Sequence, residues 1–375
     1  MLRPYKIVKV SSMTTLPLPA RPAAPPVSWA QAAPVRKHMR LRISVLLLLC
    51  TAVMAMFVAS LVIGSVQIPL ADVVRVLMGG EASKSAWTDI VLKFRLPKAL
   101  TALLSGAALS ASGLMMQTFF RNPLADPFVL GVSSGASLGV ALVVLGAGAG
   151  ILTGLGLRGD ALLAVAAAGG AGLSLGLVLL LARRVRNQGS LLVMGLMFGY
   201  FASAFVSVLM HFAVKERIQV FMTWSFGTFS GVTWGQMPVF AGALGIGLLL
   251  AIPLAKPLNL LLLGETYAES MGLNMRWARL GVLGITALLA GTVTAFCGPV
   301  GFLGIAAPHL TRMMMRRTDH RNLLPGAMLV GGLLAMTAAL LADLPGSNLV
   351  LPLNAVTALM GAPVVVTILL RQQSS

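Results

Sequence analysis

The chain has 375 residues, of which 57% are hydrophobic and only 10% charged. No soluble domain of this length can hide so much apolar surface, so an ordinary soluble enzyme is excluded and lipid must cover part of the chain. The formal charge of +18 would point to nucleic acid in a soluble protein. Here the Lys and Arg fall in short links between apolar runs, so the charge reads as topology and contact with anionic headgroups, with no nucleic-acid partner.

In chain order, residues 1–38 are rich in Pro and Ala and carry Arg3, Lys6, Lys9, Arg21, Arg36 and Lys37. They lack an apolar stretch before a small-residue cleavage site, and the expectation is a disordered cytoplasmic tail, not a signal peptide. A window of about 19 residues then finds ten candidate spans: 43–66, 97–118, 127–147, 161–182, 190–212, 235–256, 278–297, 300–315, 323–344 and 353–370. Together they predict a transmembrane domain over 39–375, in halves of about 43–232 and 233–371. The tail, Arg371 and the links after alternate spans hold 20 of the 28 Lys and Arg, which places both termini in the cytoplasm. Residues 67–93 read as a short external helix with Leu70, Val73, Val74 and Leu77 on its apolar face, followed by a loop. Residues 215–231 are too polar to cross and read as a second short external helix.

The stretch from Arg95 to Gly139 organises the rest. A basic, Pro-containing opening (RLPK) leads into a long run of small residues. The polar double-Pro junction RNPLADP follows, and then a second apolar run beginning with Ser133, Ser134 and Gly135. This pattern predicts a helical hairpin. The run ALLSGAALSASG at 102–113 returns as ALLAGTVTAFCG at 287–298, and the same offset carries Pro123 onto Pro308. The copies are five spans apart and so run in opposite directions, as in the inverted repeats of transport proteins.

Few residues offer chemistry. His38, His211, His309 and His320 are scattered, and Cys50 and Cys297 lie in apolar runs, so no metal site, disulfide framework or catalytic set is expected. No phosphate-binding loop is present, so the chain does not cleave ATP itself. None of the ten acidic residues sits mid-span, which argues against proton coupling. Gly195, Gly199, Ser203 and Ser207 recur every four residues, with Met210 near their line. Such a stripe serves either close packing or a pathway. Gly131, Gly135 and Gly139 carry the same ambiguity. The link 257–279 offers Leu261, Leu262, Tyr267, Ala268 and Met271 as an apolar knob ended by Gly272. The knob suits either a partner's groove or the lipid interface.

Four motifs, in order, carry a resemblance over about 43–371: RLPKAL to RNPLADPFVLGVSSGASLG, GETYAESMGLN, GPVGFLGIAAPHLTRMMMRRTDHRNLLPG, and LADLPGSNLVLPLNAVTALMGAP. The chain resembles the FecCD-type permeases, the membrane subunits of type II ABC importers for ferric siderophores, haem and cobalamin. The resemblance implies an all-α polytopic protein of about ten helices in two inverted five-helix repeats, in the bacterial inner membrane. It implies a homodimer with two cytoplasmic ATPase subunits that use ATP and Mg, and a periplasmic binding protein. No cofactor is expected on this chain.

Residue by residue, the resemblance implies docking of the binding protein at Arg95 and Lys98, with Lys215 and Arg217 as further cations. It implies a cytoplasmic gate at Asn122, Leu124, Gln188 and Gly189. A path would pass Ser203, Ser207, Met210, His211 and Met222, and ATPase coupling would use Glu265, Ala268, Met271, Gly272 and Arg276. Two departures stand out. PGSNLVLP lacks a basic residue often present there, and Lys98 replaces an Arg, losing bidentate geometry. The function expected is import of an iron chelate or cobalamin by ATP-driven alternating access. The competing expectation is a secondary carrier or channel working alone.

Overall fold

The computed structural model describes residues 33–146, 159–184, 188–315, 319–344, 346 and 349–373. Most of the tail expected at 1–38 lies outside that set. By contacts, the chain divides between Leu41 and Arg42, and the packing below is that of the second unit.

The elements are all helical. They are α1 (Ala33–Val62), α2 (Leu70–Leu77), α3 (Ser85–Asp89), a π-helical turn (Ile90–Arg95), α4 (Leu96–Phe119), a 3-10 turn (Pro127–Leu130) and α5 (Val132–Val144). Next come α6 (Gly159–Arg184), α7 (Gln188–Phe212), α8 (Lys215–Ser225) and α9 (Met237–Ala251), which runs through a 3-10 turn into α10 (Ala255–Leu261). The chain ends with α11 (Glu265–Ser270), α12 (Met275–Cys297), α13 (Leu303–Met315), α14 (His320–Ala342) and α15 (Leu353–Gln373). Among the described residues, seven helices are long and apolar enough to cross a membrane. The shorter α5, α13 and α15 occupy the other three expected positions.

The small residues of α4 put it at the centre. Its apolar stretch is 83% buried, against 22% for that of α7. Some hydroxyls enclosed in the bundle bond backward along their own helices, as Thr101 does to the Pro97 carbonyl at 2.7 Å and Thr294 to the Ala290 carbonyl at 2.8 Å. That satisfies them without a partner helix.

The packing repeats. Helix α4 packs on α13 and α14, and α12 packs on α5 and α6. Within each half, α5 lies against α6 and α7, as α13 lies against α14 and α15. The two ALL-containing runs are thus equivalent central helices that touch each other. The proline match does not hold. Pro123 sits in the non-helical junction, whereas Pro308 is inside α13. The hairpin expectation also changes, because α4 packs mainly on α12, α13 and α14 while α5 turns to α6 and α7. The junction joins two halves of the bundle instead of closing a local pair.

Loops gather at two ends. At one, the 120–131 junction, the α10–α11 corner and the start of α14 come together, as Arg121 against Gly264 and Asn259 against Asp319 show. This is the basic end. At the other, Thr228 donates to Cys297, Asn354 to Phe226 and Trp234 to Leu92. On α2, Val73 is buried as expected, together with Val76 and Asp72, whereas Leu70, Val74 and Leu77 face outward. The covered face overlaps the expected one at Val73 and is rotated away from the other three.

Candidate functional site

At the basic end, α4 stops in a tight C-terminal motif. The Asn122 amide donates to the Gln117 carbonyl at 3.1 Å and the Arg121 amide to the Thr118 carbonyl at 3.2 Å. That motif normally places glycine in the left-handed position. Here Arg121 holds it, at φ 49°, and its guanidinium lies against Gly264. Asn122 Oδ1 then accepts from the Leu124 amide at 2.9 Å, and Asp126 Oδ1 from the Phe128 amide at 2.9 Å, capping the 3-10 turn. Burial pushes the Asp126 carboxyl up to about 6, opposed by the Phe128 N–H. Pro127 is buried, and a Cβ on Gly304 of α13 would lie 2.8 Å from its ring. Asn122 remains exposed and Leu124 half-buried.

The expected gate partner Gly189 is described at the start of α7 and the side chain of Gln188 is not. Helix α7 packs against the 3-10 turn. A Cβ on Gly195 would lie 2.2 Å from the Val129 carbonyl oxygen.

The corner after α10 is built on glycine. Gly264 has φ 105° and ψ 155°, which side chains disfavour, and Gly272 ends the next turn at φ 86°. Between them α11 is tied to α12 by Glu265 and Arg279, 3.3 Å apart. The expected apolar knob divides. Leu261 and Ala268 are buried against the bundle and are not part of the exposed surface. Leu262, Leu263, Tyr267 and Met271 are exposed, with Gly272, Arg276 and Trp277. Trp277 was not singled out in the sequence, since an aromatic next to a charge at a helix start carries no distinctive pattern.

The small-residue stripe of α7 divides. Gly195 is buried, a Cβ on Gly199 would lie 3.2 Å from the Ser134 hydroxyl, and Ser203 and Ser207 are exposed. A strict four-residue row advances about 40° per step around a helix of 3.6 residues per turn, so one row passes from packing to open surface. Glycines of α5 resolve as packing, with a Cβ on Gly139 falling 2.2 Å from the Ala166 carbonyl oxygen. Met210 is half-buried, and His211 and Met222 are exposed, with His211 edge-on to Phe212.

At the opposite end the expected docking cations have internal partners. Arg95 donates to the carbonyls of Leu61 and Val62 at 2.8 and 2.9 Å and to that of Val66. Lys98 pairs with both oxygens of Asp343 at 2.5 Å. Both line a cavity of about 600 Å³ that includes Trp234 and Val350. Lys215 is exposed, and Arg217 donates to the Gly146 carbonyl at 3.2 Å. The Lys98–Asp343 pair has no local signature in the sequence, since its members are 245 residues apart.

With a strained junction, α7 packed on its 3-10 turn, and a glycine-built corner beside it, this all-helical bundle is that of a multi-pass membrane permease of the ABC importer class, as its likenesses show. The chain belongs to the FecCD transport family, which it matches over residues 51–371. It is 37% identical over 284 residues to a vitamin B12 import system permease protein BtuC of Citrobacter koseri, covering 76% of this chain and 83% of that one. The Salmonella typhimurium protein of the same name is 38% identical over 282 residues, covering 75% and 83%. Among solved structures, an inward-facing metal-chelate type ABC transporter superposes with a TM-score of 0.76 at 27% identity. It covers 88% of this chain and 99% of that chain.

Proposed function

We propose that this chain forms, with a second copy of itself, the translocation pathway of an inner-membrane importer for a large metal chelate, with cobalamin the first candidate. Two cytoplasmic ATPase subunits drive it and a periplasmic binding protein supplies it. The observation that carries the reading is the surface of α7. Among its described side chains, only the stripe of Leu191, Gly195, Ala202 and Val206 is buried. The outward surface mixes Tyr200, Phe201, Phe205 and Val208 with Ser203 and Ser207. Lipid suits the aromatic and aliphatic part. Exposed hydroxyls suit a wet pathway between two copies, with Met210, His211 and Met222 toward its outer mouth. The relatives named for vitamin B12 import favour cobalamin over an iron chelate.

In this reading the basic end is cytoplasmic. Asn122 and Leu124, with Gln188 and Gly189, narrow the path there. Leu262, Leu263, Tyr267 and Met271 present the surface that meets the ATPase, and Gly264 and Gly272 allow the corner its shape. Glu265 and Arg279 transmit its movement to α12. At the other end, acidic groups of the binding protein approach Arg95 and Lys98, and docking must compete with Asp343 for Lys98.

The test is cysteine cross-linking in the membrane. With Cys50→Ser as background, a Ser207→Cys variant should join two copies through a short bifunctional thiol reagent. It should also react with a water-soluble thiol reagent more slowly when substrate is being imported. A Ser207→Cys variant that stays monomeric and inert to the water-soluble reagent would overturn the assignment of α7 to a wet dimer axis.

A further inference from the structure

A buried histidine joins three elements at the basic end. His320 is the first residue of α14 and is 1% exposed. Its backbone amide and its Nδ1 both lie against Asn259 Oδ1 of α10, at 2.9 and 2.8 Å. Its Nε2 lies 2.7 Å from the Thr118 hydroxyl, in the last turn of α4 and three residues before Arg121. The side chain of Asn259 is oriented by its other end, where Nδ2 donates to Asp319 Oδ1 at 2.8 Å. Its oxygen therefore faces His320 and accepts, so Nδ1 carries the proton and Nε2 accepts from Thr118.

The two sides of this bridge differ. The Asn259 side is firm, because one oxygen takes two donors from the same residue. The Thr118 side is soft, because the same hydroxyl lies 2.9 Å from the Leu114 carbonyl in its own helix. With a single hydrogen it can leave His320 and bond Leu114 instead. Separation at this point orphans only the ring Nε2, because the Thr118 hydroxyl keeps a partner, so the joint breaks at lower cost than one that strands both donor and acceptor. A bond with a ready fallback suits a joint that opens and closes, whereas a static rivet would need none.

We infer that His320 is a positioning residue that transmits movement of the α10–α11 corner to the end of α4 and thence to the RNPLADP junction. The inference rests on the importer reading above. Helix α10, which leads into the corner, and the end of α4, which leads into the junction, meet at this side chain, and α10 packs on both α4 and α14.

The experiment uses the complete importer, permease with its ATPase and binding protein, in proteoliposomes. Wild type must first show ATP-dependent uptake; if it does not, the importer reading fails and not this one. His320→Leu fills the space without hydrogen bonds, and His320→Gln can still donate and accept. Spin labels are placed at Met271 in the corner and, separately, at Asn122 in the junction. The expected result is that His320→Leu keeps the ATP-dependent distance change at Met271, loses that at Asn122, and lowers transport per ATP roughly tenfold, within the usual range of coupling between sites. His320→Gln should restore both. Equal distance changes at Asn122 in wild type and His320→Leu, or failure of His320→Gln to restore transport per ATP in a folded complex, would overturn the role. If His320→Leu does not assemble, Thr118→Val is the second variant. It cuts only the soft side and should show the same split between the two labels; no split would overturn the inference.

Discussion

Gly106 of α4 and Gly331 of α14 meet backbone to backbone. A Cβ on Gly106 would lie 2.1 Å from the Gly331 carbonyl oxygen, and one on Gly331 would lie 2.2 Å from that of Gly106. The equivalent glycine of the second repeat, Gly291 of α12, is different. Its Cβ would meet Val132 and Ala171 at 3.6 and 3.7 Å, an ordinary contact. The two halves share a plan of helix contacts but not its tightness. At the Gly106–Gly331 crossing the α4–α14 seam has no room for a further side chain, whereas the α12–α6 seam has room at Gly291.

Opposite outcomes are therefore expected for the same substitution. Gly331→Ala and Gly106→Ala should each force the helices apart and lower the midpoint of thermal unfolding in detergent, at a cost of about 1–3 kcal/mol. Gly291→Ala should be neutral or stabilising by up to about 1 kcal/mol, because alanine is the better helix former and the space exists. Similar losses at Gly106 and Gly291 would contradict the asymmetry.

Asp126 predicts a pH dependence of definite sign. Its carboxyl has an ordinary value of 3.8 and is raised to about 6 in the folded protein. The folded state therefore holds the proton more tightly than the unfolded state. Stability falls as pH rises from about 4 to 6, and neutral pH carries the cost of the buried charge. Asp126→Asn keeps an oxygen to cap the Phe128 amide while removing the charge. Thermal melts across that window should show a flatter profile for Asp126→Asn and greater stability at pH 7. A variant as pH-dependent as wild type would show that another group titrates.

Arg121 combines strain with position. A side chain at its φ of 49° carries a penalty of roughly 1–2 kcal/mol that glycine avoids, partly offset by the entropy glycine adds to the unfolded chain. Arg121→Gly should leave thermal stability unchanged to within about 1 kcal/mol. It should nonetheless reduce transport per ATP, because the guanidinium against Gly264 is lost. Transport at the wild-type level would mean that the strain serves no movement.

Lys98 and Asp343 are partly exposed, with 19% and 32% of each side chain accessible. Because the pair is more buried than exposed, removing one partner should cost about 1–3 kcal/mol, between the surface and fully buried cases. Asp343→Asn leaves Lys98 and Arg95 without a neutralising neighbour in their cavity. Association with the acidic surface of a binding protein should then become faster at low ionic strength and more sensitive to salt. An unchanged salt dependence would show that docking does not use Lys98.

Much of this architecture was legible because membrane spans follow length and hydropathy. The ends of the 97–118 and 278–297 runs fall within a few residues of α4 and α12. The repeat was legible at 102–113 and 287–298, where small residues must fit a crowded centre. What escaped depended on distant partners. The Lys98–Asp343 pair and the Thr118–His320–Asn259 bridge join residues more than 50 positions apart. No local spacing announces them. The orientations of α2 and the α11 corner were misjudged for a related reason. Both carry apolar residues on more than one side, and only the bundle decides which are covered, as it does for Val76 and Ala268.

The central claim is that this chain is a passive pathway powered by a partner ATPase. Its most direct test is substrate uptake into proteoliposomes that hold the permease, its ATPase subunits and the loaded binding protein, with ATP enclosed or omitted and with an ion gradient imposed or dissipated. The account predicts cobalamin accumulation that requires ATP and the ATPase and is indifferent to the gradient. Uptake by the permease alone, driven by the ion gradient, would contradict it.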